Sequence, residues 1–325
     1  MEKILHLLMG AALLFTCATA FSQEKPAHQT DDKSAPVVYF TKDISADGML
    51  KVYEALGWKP EGKTGVKVST GEPPASNYLR PALLEKTVKA VDGVIVECKT
   101  AYPGRRNSNA EHHKVAEEHG FTKIADFDLL DEEDVVYLPI EGAEHLTKGH
   151  IVGSHFNNYG SYLVISHFKG HAMAGFGGAI KNLSIGFGSG WGDFESGKVY
   201  IHSGGKTTNG SISGDQIAFL ESMAEAAKGL CDAMGKNIAF INVLNRLSVD
   251  CDCNGNPAEP DMHDIGIVAS LDPLAADQAA IDMVYAAEDS AALKERIESR
   301  QGLHTLDHAA KINLGSRQYR LVEIE

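Results

Sequence analysis

Residues 37–69, VVYFTKDISADGMLKVYEALGWKPEGKTGVKVS, decide the fold class. Val37 to Thr41 is a β-branched and aromatic run, Ser45 to Leu56 has helical length and ends at Gly57, and Val66 to Ser69 is again strand-like. A strand, a helix and a strand in so short a stretch form a βαβ unit, whose two strands run parallel. The alternation continues. Tyr78 to Val91 reads as a helix, Val94 to Cys98 as a strand, Asn109 to His119 as a polar helix and Asp134 to Ile140 as a strand. Further on, Tyr162 to His167 and Asn237 to Val243 read as buried strands, and Gln318 to Ile324 as a closing one. A helix starts after Ser213, where Ser213-Gly-Asp-Gln216 fits a capping box, and Gly229 helps to end it. Asp272-Pro273 starts the next helix with an N-cap and a proline at its first position, and Ser290 caps the last long one. The expected fold is α/β over residues 37–325, a mainly parallel sheet with flanking helices. It is arranged either as two lobes split near residues 145–160 or as one large doubly wound sheet.

The 325 residues are 43% hydrophobic and 23% charged, which excludes a collagen-like or wholly disordered chain. With 30 Lys and Arg against 44 Asp and Glu the net charge is −14, and nucleic acid is excluded as the main partner because its phosphates need a basic surface. Residues 1–20, MEKILHLLMGAALLFTCATA, have the basic start, short apolar run and Ala18-Thr19-Ala20 end of a removable signal peptide, with a lipid anchor at Cys17 as the rival reading. Export to the periplasm or the extracellular space is therefore expected. Residues 21–36 read as a disordered leader, and the mature chain has no membrane span.

Two segments carry the chemistry. The first, HFKGHAMAGFGGAIKNLSIGFG (167–188), combines Gly175, Gly177 and Gly178 with His167, Lys169, His171 and Lys181. Glycines allow close backbone approach and present N–H groups to an anion, while the imidazoles and ammonium groups can serve as ligands, acid/base groups or phosphate clamps. Neither the Walker pattern nor the dinucleotide fingerprint is present. The second segment, DCDCNGNPAEPDMHD (250–264), gathers Asp250, Cys251, Cys253, Asp261, His263 and Asp264 in one loop. Thiolate and imidazole donors suit a transition metal such as Zn, Fe or Ni. Cys251 and Cys253 can instead close a small disulfide ring, more redox-active than structural. Cys98 and Cys231 sit in apolar elements and read as buried small hydrophobes, although after export they could pair.

The first block together with CDCNGNPAEPDMHDIGIVASLDPLAADQAAID (251–282) resembles the family called domain of unknown function 362. Many of its members carry a ferredoxin-like insert with two four-iron clusters. Here Ile201 to Asp215 fill that place without a Cys, so no iron–sulfur cluster of that type is expected. His171 followed through glycines by Lys181 is also similar to the loop of nickel-pincer lactate racemases, in which that Lys tethers the cofactor. For their later histidine His202 is a candidate.

The sequence thus implies an exported metal-dependent or redox enzyme acting on a small anionic substrate, by oxidoreduction or isomerisation. Cys251, Cys253 and His263 hold a metal, and His167 or His171 adds a ligand or base. Lys181 positions the substrate, with Lys169 and the three glycines at the ligand. The alternative is a non-catalytic binder of a metal or anion using the same residues.

Overall fold

The strand Ser161–His167 is buried along its whole length and sits near the middle of the sheet, as expected of a strand covered on both faces. The structure is a computed structural model and describes residues 26–190, 192–209 and 214–325. The proposed signal segment 1–20, residues 21–25 and Ser213 of the capping box lie outside the described residues. The strands are β1 Val37–Thr41, β2 Thr64–Lys67, β3 Gly93–Glu97, β4 Phe127–Leu129, β5 Val135–Leu138, β6 His150–Gly153, β7 Ser161–His167, β8 Lys169–His171, β9 Gly175–Gly177, β10 Ile238–Leu244, β11 Gly266–Ser270 and β12 Arg320–Glu323. The helices are α1 Ala46–Ala55, α2 Pro81–Ala90, α3 Asn109–Glu118, α4 Ala179–Lys181, α5 Gly197–His202, α6 Gln216–Met234, α7 Pro273–Ala286, α8 Ala291–Ser299 and α9 His304–Lys311.

Eight strands form one sheet in the order β12-β1-β11-β10-β7-β2-β3-β4. Only β11 runs against its neighbours, so the sheet is mainly parallel. Strands from both sides of residues 145–160 interleave, and these residues do not divide the sheet into lobes. The two-residue period of a strand sorts its side chains between two helical layers. Leu163 and Ile165 of β7 and Ala239, Ile241 and Val243 of β10 face Met49 and Val52 of α1 and Leu84 and Val88 of α2. Tyr162, Val164, Phe240 and Leu244 join the other core with Ala179 and Ile180 of α4, Ala224 and Leu230 of α6 and Ala276 and Ala280 of α7.

Several local expectations shift. β5 pairs with β6 in a separate ribbon instead of joining the sheet. β11 and β4 lie where no strand is expected, and β2 starts two residues before Val66. α6 runs through Gly229, whose missing Cβ leaves room for Ile140, and ends at Gly235 with φ +54°. Its cap is Asp215, which accepts from the N–H groups of Ile217 and Ala218. Ser290 sits at the N-cap position of α8, but its hydroxyl donates to Ala287 O. Residues 26–36 belong to the folded body, contrary to a disordered leader: Gln29 bridges to Tyr319 and His28 hydrogen-bonds Asp282 and Gln278. Among the described residues no helix is long and apolar enough to cross a membrane.

Candidate active site

Lys67 ends β2, Glu97 ends β3 and His167 ends β7, so three parallel neighbours deliver polar side chains to the same edge of the sheet. The loop carrying Cys251 and Cys253 follows β10, which pairs with β7, and the β8–β9 hairpin follows β7 directly. The two sequence segments therefore meet beyond the C-terminal strand ends, where open α/β sheets place ligands. They enclose a cavity of about 340 Å³. His167, Lys169, His171, Gly177, Gly178, Lys181, Cys251 and Cys253 all line it.

Two expected site residues do not. Gly175, with φ +82°, packs its backbone against Ile297 and Gly302. His263 is exposed and salt-bridged to Asp289, so it cannot complete a metal site with the two cysteines. Its place is taken by His171, whose ligand-capable atoms and those of Cys251 and Cys253 all lie within 4.8 Å of one another. The sulfurs, however, are joined in a disulfide and are not thiolates. Cys98 and Cys231 are both free.

The glycine turn also has a different purpose from anion capture. A Cβ at Gly178 would lie 2.3 Å from Asp277 Oδ1. That carboxylate fills the start of α4, accepting from Ala179 N–H at 2.7 Å and Ile180 N–H at 3.0 Å. Asn242 Nδ2 donates to it at 2.8 Å. Burial pushes Asp277 up to about 6. The N–H groups of Ala179 and Ile180 that follow Gly178 thus hold an internal carboxylate, and α4 then delivers Lys181 to the cavity.

Hydrogen bonding fixes what each imidazole offers. His167 is held on both sides, Nδ1 by Asp252 Oδ1 at 2.9 Å and Nε2 by Asn245 O at 2.7 Å, so neither nitrogen is free to act as base or ligand. His171 Nδ1 accepts from Met173 N–H at 3.2 Å and Ala174 N–H at 2.9 Å. Burial, then the nearby Lys181, hold His171 well below the ordinary histidine value. The ring is neutral with its hydrogen on Nε2, a donor and not a lone pair. His202, pushed down to about 4 by burial, is the reverse: Nδ1–H donates to Lys198 O at 2.7 Å, leaving Nε2 as an acceptor.

Cationic side chains outnumber carboxylates around the cavity. Lys67, Arg106, Lys169, Lys181 and Lys198 line the cavity against two carboxylates, Glu97 and Asp252, although the chain as a whole is acidic. Both carboxylates are buried and already engaged. Burial works against Asp252, but Lys169 Nζ at 2.9 Å and His167 hold it well below the carboxylate range. Burial likewise opposes the charge on Glu97, yet Lys67 at 3.2 Å, with Lys198, His112 and Arg106, brings it to about 2. Lys67 Nζ also donates to Asn182 Oδ1 at 3.0 Å, at the start of a π-helical turn, Asn182–Gly186. Such turns recur at functional sites. Lys181 stands apart: among the described residues its ammonium has no hydrogen-bond or salt-bridge partner. Burial and then the charge of Lys169 lower it to about 7.

Asp252, Lys67, Glu97, Arg106 and Lys198 escape a reading of motifs. A signal was available for two of them, because Lys67 and Glu97 are charges inside the apolar strand runs GVKVS and VIVEC.

Fold and cavity together define an α/β protein with a cationic pocket at its strand ends. The chain belongs to the family described as Domain of unknown function (DUF362), whose model matches residues 64–282. No curated protein matches it in sequence. Similar solved structures include the lactate racemase apoprotein from Thermoanaerobacterium thermosaccharolyticum, at 15% identity and TM-score 0.37 over 63% of this chain and 50% of that one. Another is a protein from Thermotoga maritima, at 11% identity and TM-score 0.40 over 79% of this chain and 58% of that one. The chain spans between half and three fifths of the length of these proteins.

Proposed function

We propose that this chain is a redox enzyme acting on a small anionic substrate, with the Cys251–Cys253 disulfide as its two-electron couple. The observation that carries the reading is the unpaired Lys181 amine, held near pH 7 in the same cavity as the disulfide. A site built only to bind an anion gains nothing from a lysine that gives up its proton, whereas a base must do so. The substrate class that fits both groups is an anionic thiol. The Lys181 amine takes the thiol proton, and the resulting thiolate attacks one sulfur of the disulfide, giving a mixed disulfide and releasing the other cysteine. A second substrate thiol resolves it. Two substrate thiols become one disulfide, and their two electrons and two protons reduce the cysteines to thiols, which thiol–disulfide exchange with an external disulfide returns to the oxidised pair. The excess of cations holds the substrate's negative charge, and His171 Nε2–H donates to it. Export, which residues 1–20 suggest, would keep the pair oxidised.

A second reading applies to the reduced chain. Two thiolates and His171 would then offer three donors to an ion of the zinc class, with a non-catalytic binder as the simplest outcome. It is the weaker reading, because the lone pair of His171 Nδ1 is occupied by two backbone N–H groups and Nε2 bears the hydrogen.

Labelling with trinitrobenzenesulfonate, an anionic amine reagent, tests the base. Lys181 is expected to react with a midpoint near pH 7 and to be protected by inorganic phosphate. Labelling that rises only toward pH 10, as for an ordinary lysine, would remove the basis of the proposal.

A further inference from the structure

We infer that a second site, apart from the cavity, binds a divalent transition-metal ion between the Glu144-His145 turn and α6. Glu144, His145 and Glu221 bring ligand atoms within 4.8 Å of one another, with His145 Nε2 2.7 Å from Glu221 Oε2. None of the three lines the cavity. The turn is docked on the next step of the same helix face, where Glu225 accepts the backbone N–H groups of Glu144 at 2.8 Å and Leu146 at 2.8 Å. Residues four apart on a helix share a face, so Glu225 fixes the turn while Glu221 meets its side chains.

Helix α9 supplies an independent sign. His304 and His308, also four apart, both approach the other oxygen of Glu221, His304 Nε2 at 2.9 Å and His308 Nδ1 at 3.4 Å. His308 is only 2% exposed, and neither of its ring nitrogens makes a hydrogen bond. Leaving a buried imidazole unsatisfied is costly. With the ion on Oε2, His304 would hold the carboxylate from Oε1, as outer partners of metal ligands do, with the unsatisfied His308 ring beside it. Imidazole and carboxylate donors favour Zn²⁺, Ni²⁺ or Cu²⁺ over Ca²⁺ or Mg²⁺, and three ligands leave positions for water. The ion would displace Lys311 from Glu144, an exposed pair at 3.1 Å whose loss costs little.

The test is Zn²⁺ titration, by calorimetry and by metal retained after desalting. The full chain carries no histidine tag, is stripped with chelator and has Cys251→Ser and Cys253→Ser to silence the rival donors. One zinc per chain is expected, with affinity falling at least tenfold in H145A and E221Q and about tenfold in H304A. Zinc binding that is absent, or undiminished in H145A and E221Q, overturns the inference. Glu144 is exposed and His145 is half-buried on the turn outside the sheet, so H145A decides the matter even where E221Q fails to fold.

Discussion

Replacing Lys181 by methionine is expected to stabilise the fold while removing its chemistry. Methionine keeps the length of the side chain but not the charge. The ordinary lysine value of 10.5 against about 7 here corresponds, at about 1.4 kcal/mol for each tenfold change, to a ceiling of about 5 kcal/mol. Lys181 retains some contact with solvent, which screens its repulsion from Lys169, and about 1–3 kcal/mol is the expected gain. The pH dependence follows from which state is charged. Below about pH 7 the ammonium persists folded and unfolded, so the wild type bears the full penalty; from about 7 to 10.5 only the unfolded chain is charged and the penalty fades. Urea unfolding of both proteins at about pH 6 and about pH 10 should show K181M ahead by about 1–3 kcal/mol at the lower pH and by less than about 1 kcal/mol at the higher. A methionine variant that is less stable at the lower pH, or equally favoured at both, would refute the reasoning.

Asp252→Asn should cost about 3–5 kcal/mol, because it leaves the buried Lys169 ammonium unpaired; adding Lys169→Met should recover much of the loss in the same denaturation assay. Asp277→Ala removes the acceptor of two backbone N–H groups and of Asn242, and about 2–4 kcal/mol should be lost. In that variant hydrogen exchange at Ala179 and Ile180 should accelerate before the rest of the sheet does. His263→Ala, on an exposed side chain, should leave both stability and thiol reactivity within about 0.5 kcal/mol and twofold of wild type.

The fold was legible where periodicity was strong. The run Tyr162–His167 and the alternation from Val37 to Cys98 are short, β-branched and separated by helix-length segments, which leaves few options besides a parallel sheet. β11 was hidden because Gly266–Ser270 is brief, follows a long polar loop and runs antiparallel, so no helix-length crossover announces it. The meeting of the glycine segment and the Cys-Asp-Cys loop was legible because each follows a strand, and β7 and β10 turn out to be neighbours. Proximity in sequence misled at His263, since the loop that brings Cys251 into the cavity carries His263 out to Asp289. The partner of the glycine turn, Asp277, lies about a hundred residues downstream, and nothing local to either residue announces it.

The central claim is that Lys181 and a cationic cavity deliver an anionic thiol to the Cys251–Cys253 disulfide. Its most direct test is the rate at which two thiols of similar size and opposite charge, mercaptoacetate and cysteamine, reduce that disulfide in the oxidised full chain at neutral pH and low salt. After correction for the thiolate fraction of each reagent, mercaptoacetate should react at least about tenfold faster, and K181M, which removes the base but leaves four cations at the cavity, should slow both thiols while keeping that preference. Equal rates, or faster reduction by cysteamine, would contradict the account.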